Sequence, residues 1–261
     1  MKIISPGRLP MVSLLFIYAT IVVSIFSGCA KKDPESVSKA TLKSNAAKQT
    51  LLSVDLMSGN PILPVATADP DIIYANGKYY IYPTATGPNA SQFHAYSSTD
   101  LLNWTDEGIV LDLVNVSWAH TDGWAPCVVA RNGNYYFYYT AAKKIGVAVS
   151  SSPTGPFVDK GSALATGDGT DPIDPMVFVD TDGPAYMYWG NTTINIQRLN
   201  NDMISLTGTR GHNKPSNYFE APYLIKRNSI YYLMYSINDF SSDDYHVEYA
   251  TSSNPMGPWT T

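Results

Sequence analysis

Three carboxylates in this 261-residue chain stand at matching places beside prolines. Asp69 and Asp174 each directly precede a proline, and Glu220 lies one residue further back, in Glu-Ala-Pro. Two carboxyl groups can do acid–base chemistry when their surroundings differ, because one must hold a proton and the other must take one. Glu220 sits among Tyr218, Phe219 and Tyr223, and an apolar setting raises a carboxyl pKa, as a proton donor requires. Asp69 is followed by a polar, proline-stiffened stretch, which suits a base. Asp71 is its local rival, two residues along and on the same face of a strand, but past the proline rather than before it. Any one Asp-Pro pair is a common turn former. These positions stand out because they coincide within a repeat.

Four segments align: NGKYYIYPT (76–84), NGNYYFYYT (132–140), DGPAYMYWG (182–190) and NSIYYLMYS (228–236). Each opens with Asn or Asp, usually followed by Gly, the tight-hairpin signal in which both central residues take positive φ. The Tyr-rich run behind each turn prefers a strand. Before each turn lies a proline-headed apolar run: DPDIIYA (69–75), APCVVAR (125–131), DPMVFVD (174–180) and APYLIKR (221–227). Proline suits a strand start, where no ladder donor is needed. A third run follows in HAYSSTD (94–100), VAVSSSP (147–153) and EYATSSN (248–254), with IQRLNND (196–202) as the weaker counterpart. Repeats of this length, each a hairpin plus further strands, predict an all-β propeller with four visible blades. A β-sandwich is the alternative that strand spacing alone allows. With the proline-headed strand innermost, Asp69, Ala125, Asp174 and Ala221 lie at one channel mouth, with Trp124 and Glu220 one residue behind.

Residues 60–261 carry 10 basic and 19 acidic side chains, against 7 and 3 in residues 1–59. A surface that acidic is repelled by phosphate backbones, so nucleic acid is not an expected partner, whereas a neutral sugar is compatible with it. Lys2 and Arg8 precede an apolar run that ends in Ser27-Gly28-Cys29. This reads as a signal peptide over 1–29. The Ser-Gly-Cys ending resembles a bacterial lipobox and makes Cys29 the candidate for lipidation; an uncleaved membrane anchor is the alternative. Residues 30–59 then form a flexible tether, and the chain is expected to be exported and lipid-anchored to a bacterial membrane, periplasmic or at the cell surface. Only Cys29 and Cys127 exist, so a lipidated Cys29 leaves the folded part without a disulfide. No Cys-x-x-Cys or His-Glu-x-x-His metal framework occurs, and the four His residues form no cluster.

ADPDIIYANGKYYIYPT with NPILP before it, the Trp-Ala-Pro of GWAPCVVARNGNYYFYYT, IDPMVFVD and FEAPYLIKRNSIYYLMYS together resemble glycoside hydrolase family 43. The resemblance spans residues 60–261 and keeps the motifs in the family's order. It implies a five-bladed propeller that cleaves pentosides with inversion, as an arabinofuranosidase or xylosidase acting on arabinose- or xylose-containing oligo- and polysaccharides. It further implies Asp69 as general base, Glu220 as general acid and Asp174 as the auxiliary acid that orients and tunes the proton donor. Trp124 would then wall the sugar ring and Asn191 would donate to a sugar hydroxyl. No cofactor is expected. The sequence ends with the fourth repeat, so the domain is expected to be C-terminally incomplete, and a channel cation would lack its usual fifth-blade His. Cys127 also replaces an Asp that often follows Trp-Ala-Pro, and SNYFEAP lacks the usual upstream Arg. A glycan-binding propeller without turnover is the competing expectation.

Overall fold

The computed structural model describes residues 61–167 and 171–261. They form four antiparallel sheets, one per sequence repeat, arranged as propeller blades. The first holds β1 (Asp71–Ala75), β2 (Lys78–Tyr82), β3 (Gln92–Ser98) and β4 (Thr105–Asp112) in that order. The second holds β5 (Trp124–Arg131), β6 (Asn134–Ala141), β7 (Lys144–Ser150) and β8 (Val158–Asp159). The third holds β9 (Met176–Val179), β10 (Ala185–Trp189), β11 (Asn195–Leu199) and β12 (Leu206–Gly211). The fourth holds β13 (Tyr218–Arg227), β14 (Ile230–Ile237) and β15 (His246–Ser252), and a single Thr251–Thr260 bridge stands beside β15 where a further strand would pair. First strands neighbour one another from blade to blade: β1 against β5, β5 against β9, β9 against β13. The segments expected to be a signal peptide (1–29, with Cys29) and a tether (30–59) lie outside the described residues.

Turn chemistry explains the hairpins. Asn76-Gly77 (φ 52 and 79), Asn132-Gly133 (φ 52 and 75) and Asn228-Ser229 (φ 50 and 63) are left-handed at both central positions. Asn and Gly tolerate that region; Ser229 adopts it without Gly's freedom. The third repeat departs from the expectation. Its connection runs Asp180–Pro184, closed by Asp180 N–H to Pro184 O (2.8 Å) and Gly183 N–H to Asp180 O (3.0 Å), and Gly183 is the left-handed residue in it. Pro184 fixes its own φ and lengthens the turn.

Blades pack face to face through aromatic side chains. Tyr82, Phe93 and Phe137 are buried between the first two blades, Tyr138, Met187 and Trp189 between the next two, and Tyr188, Leu233 and Tyr235 between the last two. The seventh place of the repeat carries a latch. Tyr82 donates to Pro153 O (2.7 Å), Tyr138 to Met203 O (2.6 Å) and Tyr188 to Pro255 O (2.5 Å), each reaching a carbonyl of the following blade. Burying one such ring contributes about 2 kcal/mol, and its hydroxyl bond about 1 kcal/mol net. Apolar burial therefore supplies most of the attraction, and the hydroxyl fixes the register between blades. The last two blades are also clamped by Asp180, which accepts from Lys226 Nζ (2.5 Å) and from the Tyr231 hydroxyl.

Candidate active site

The residue before proline has the same conformation in every blade. Asp69 (φ 46), Ala125 (φ 37), Asp174 (φ 56) and Ala221 (φ 54) are all left-handed. Proline cannot donate to the ladder, and strand register slips between Trp124 and Cys127 and between Glu220 and Tyr223. The slip kinks the top of the inner strand and re-aims its side chains. A non-Gly residue held this way costs ~1–3 kcal/mol, and such strain gathers at functional sites.

The kinks open onto one cavity of about 770 Å³. Asp69, Asp174 and Glu220 line it from three blades, and Trp124 lines it from the remaining one. Asp71 lines it as well, but its carboxylate is committed to structure, accepting Val128 N–H of the second blade at 2.7 Å. Burial pushes the Asp71 carboxyl up to about 6 against the opposing pull of that bond. Cys127 is buried beside it, and its Sγ accepts Val177 N–H of the third blade (3.3 Å). Burial holds that thiol well above its ordinary range.

The ninth place of the repeat stitches the site together. Thr84 Oγ1 accepts Ala125 N–H (3.1 Å) and donates to Asp69 Oδ2 (3.3 Å). Thr140 Oγ1 accepts Asp174 N–H (3.1 Å). In the third blade the place is Gly190 (φ 119), where an added Cβ would lie 2.3 Å from Thr193 O, so no hydroxyl can stand there. Asp174 Oδ2 takes the missing role and accepts Ala221 N–H at 3.2 Å. It thereby holds the backbone next to Glu220. Burial first, then the charges of Glu220 and Asp69, push the Asp174 carboxyl up to about 7.

Glu220 is half-buried, whereas Asp69 is exposed at the cavity mouth. Asn191 Nδ2 donates to Glu220 Oε2 (2.9 Å), and the Tyr245 hydroxyl donates to Oε1 (3.1 Å). Burial raises the Glu220 pKa, the two donors pull it down, and the charges of Asp69 and Asp239 raise it again. Asn191, expected to donate to a sugar hydroxyl, donates with its amide to the acid in the structure. One N–H of its amide bonds the carboxylate, which leaves the second N–H and the carbonyl oxygen. Its loop is pinned by Gly190 N–H to Ile173 O (2.8 Å), Asn191 N–H to Asp171 O (3.2 Å) and Tyr218 OH to Gly190 O (2.7 Å). Sequence reasoning missed Thr84 and Tyr245. The Thr-Thr-Gly-Ser column of the aligned repeats carried the signal for Thr84, and nothing local marked Tyr245. His94 pairs with Asp106 (3.1 Å), away from the cavity. Among the described residues no group of three or more His, Cys, Asp or Glu side chains is placed to hold a metal ion.

Known proteins are similar to this chain in sequence and fold. The family model "Glycosyl hydrolases family 43" matches residues 58–261. A beta-D-galactofuranosidase of Aspergillus niger is 35% identical over 78% of this chain and 66% of its own length, so the chain spans about two thirds of that relative. A xylosidase/arabinosidase of Bacteroides ovatus is 30% identical over 74% of this chain and 76% of that protein. The solved alpha-L-arabinofuranosidase of Clostridium thermocellum is 37% identical and superposes with a TM-score of 0.67, covering 74% of this chain and 70% of that one. With its motifs, its blades and nearly all of its described length matched, the chain belongs to glycosyl hydrolase family 43.

Proposed function

We propose that the chain is an inverting hydrolase of plant-polysaccharide pentosides, of the α-L-arabinofuranosidase or β-xylosidase type. The observation that carries this reading is the meeting of three carboxylates from three blades in one cavity, in unlike surroundings. Glu220 is the general acid. Burial raises its pKa, the direction a proton donor needs, and the Asn191 and Tyr245 donors receive the carboxylate that forms as the proton leaves. Bonds that strengthen as charge develops favour the transition state over the ground state. Asp69, open to solvent at the mouth, is the general base. It takes a proton from a water that attacks the anomeric carbon on the face opposite the leaving group. The bond from that carbon to the leaving oxygen breaks, a bond to the water oxygen forms, and the product carries inverted configuration. Asp174 holds Ala221 N–H and keeps the acid's backbone in register. The step uses no cofactor. Trp124 supplies an apolar wall for the ring. Export and lipid attachment at Cys29 remain part of this proposal, and labelled palmitate in the wild-type chain but not in Cys29→Ser is its test.

The experiment is hydrolysis of a panel of nitrophenyl α-L-arabinofuranoside, β-xyloside and β-D-galactofuranoside, with the first-formed anomer read by NMR. Inverted arabinose or xylose is expected. Asp69→Asn should lose activity on every substrate, and Glu220→Gln should lose most on alkyl glycosides, whose leaving groups need the proton; such assistance is worth about 10²–10⁴-fold. Retention at the anomeric carbon, or full activity in either variant, overturns the assignment. Sugar binding without turnover would make the chain a glycan-binding propeller, and the galactofuranoside as sole substrate would move the reading from pentosides to a hexofuranoside.

A further inference from the structure

A second hollow, of about 340 Å³, lies on the same end of the propeller as the catalytic cavity. Two connections border both. The β2–β3 connection, residues 83–91, puts Thr84 on the cavity and Pro88 and Asn89 on the hollow. The β4–β5 connection, residues 113–123, puts Val114 and His120 on the hollow and leads into Trp124, which lines the cavity. Gln92, at the start of β3, and Asp112, at the end of β4, face each other across the ladder and line the hollow as well.

Backbone bonds fix its shape. Gly123 N–H donates to Ala90 O (2.8 Å), Asp122 N–H to Asn89 O (3.1 Å) and Leu113 N–H to Ser91 O (2.9 Å), which ties one connection to the other. A Cβ on Gly123 would lie 2.7 Å from Ala90 O, so this close approach needs glycine. Asp112 is held from two sides: Oδ1 accepts Val114 N–H (3.1 Å) and Oδ2 accepts Gln92 Nε2 (3.2 Å). His120 Nδ1 lies 2.9 Å from Leu113 O. A carbonyl only accepts, so Nδ1 carries the proton and Nε2 of the neutral ring is an acceptor. Among the described residues the Asn89 amide and His120 Nε2 have no hydrogen-bond partner.

These groups select a ligand. Asp112 and His120 Nε2 offer acceptors, the Asn89 amide offers donors and an acceptor, and Pro88 and Val114, the latter 68% exposed, offer apolar surface. An anion is repelled by the Asp112 carboxylate. A metal ion is short of ligands: among the described residues no three His, Cys, Asp or Glu side chains are placed for one, and both Asp112 oxygens already accept an N–H. A sugar fits what is left, with hydroxyls that donate to carboxylate and imidazole and C–H faces that lie on apolar surface. We propose that this hollow is a second sugar-binding site, holding an uncleaved unit of a polysaccharide while another unit of the same polymer occupies the cavity. The choice of a sugar rests on the hollow's own groups; the shared polymer rests on the hydrolase reading of the cavity.

The test uses the full Asp69→Asn chain, in which turnover is blocked. Xylohexaose and α-1,5-arabinohexaose are the long probes, and methyl β-xyloside and methyl α-L-arabinofuranoside probe the cavity alone. A bound hexasaccharide should slow hydrogen exchange in residues 86–92 and 113–122, and the methyl glycosides should not. Asn89→Gly keeps the left-handed backbone of that residue (φ 57) and should weaken the hexasaccharide about threefold. Combined with His120→Ala it should weaken it about tenfold, as two lost hydrogen bonds do, and leave the methyl glycosides within about twofold. Hexasaccharide binding without slowed exchange in those segments, or unweakened by the substitutions, overturns the second site and spares the cavity. Equal weakening of both kinds of probe overturns it too, because the residues then act through the fold. Exchange slowed there by calcium chloride alone would make the hollow a cation site and overturns the sugar assignment. Failure of every probe to bind the folded chain overturns the reading of the cavity and the second site with it.

Discussion

Replacing Asn191 by Ala separates a residue that holds the acid from one that touches sugar. Asn191 Nδ2 lies 2.9 Å from Glu220 Oε2, on a loop pinned to both neighbouring inner strands. A hydrogen bond to a charged acceptor is worth about 1.5–3 kcal/mol, but Glu220 is half-exposed to water and keeps Tyr245, so about 1–2 kcal/mol is the expected loss. At 1.36 kcal/mol per tenfold, that is about 5–30-fold in kcat. KM should stay within about twofold if the amide acts on the acid's carboxylate alone. The assay is kcat and KM across aryl glycosides with graded leaving groups. Because Asn191 works only through the proton donor, its loss should matter least where the leaving group departs without help. The pH profile gives a second reading. Asn191 lowers the Glu220 pKa, so its removal lets that pKa rise. Activity is lost as pH climbs through the acid's pKa, so the alkaline limb should move to higher pH. A raised KM with unchanged kcat and an unmoved limb would refute the reasoning and return Asn191 to the sugar.

Three other outcomes follow from the same structure. Tyr245→Phe removes the second donor and should move the alkaline limb the same way, by less when Asn191 is intact than in the Asn191→Ala chain. Tyr138→Phe leaves the buried Met203 carbonyl without its donor and should cost about 1–3 kcal/mol, with each kcal/mol lowering Tm by about 2–4 °C in a domain of this size; Tyr74→Phe on the exposed face should leave Tm unchanged within error. Asp71 is lifted by burial from 3.8 to about 6 in the fold, so the folded state binds its proton more tightly than the unfolded chain. That stability is present below pH 4 and is lost as pH rises through 6, up to about 3 kcal/mol. Asp71→Asn keeps an acceptor for Val128 N–H and should make the pH dependence of thermal melts between pH 4.5 and 7.5 shallower, with the slope that remains belonging to Asp174, also lifted by burial; an unaltered pH slope would show that Asp71 is not a group that titrates.

Local chemistry wrote the blades into the sequence. Asn-Gly turns and Tyr-rich runs act over a few residues, so a reader of the chain can align them without tertiary information. The alignment then places Asp69, Asp174 and Glu220 at equivalent depths, and their convergence follows from the repeat. What escaped depends on neighbours far along the chain. The left-handed residue before each proline runs against the extended preference of that position, and at Ala125, Asp174 and Ala221 its N–H is held by a side chain of the preceding blade. Asn191 is expected from the sequence only to meet a sugar hydroxyl; the packing of the third blade on the fourth is what aims it at Glu220. Tyr245 lies 25 residues from the carboxylate it touches, at the end of a loop without periodicity. The outermost strands were also faint, since β4 is interrupted by left-handed Gly108 and β8 is two residues long.

The tyrosine latches all point the same way along the chain. Each donor finds its carbonyl 71, 65 or 67 residues later, and the stitches at the site reach 41, 34 and 47 residues ahead. During synthesis a blade therefore leaves the ribosome with its donors unanswered until the next blade has followed it. Repeat architectures grow by such nearest-neighbour additions, and domains begin to fold from the end made first. Asp69 belongs to the first blade and Glu220 to the fourth, so translation order keeps the two carboxylates from meeting before the intervening blades have been made.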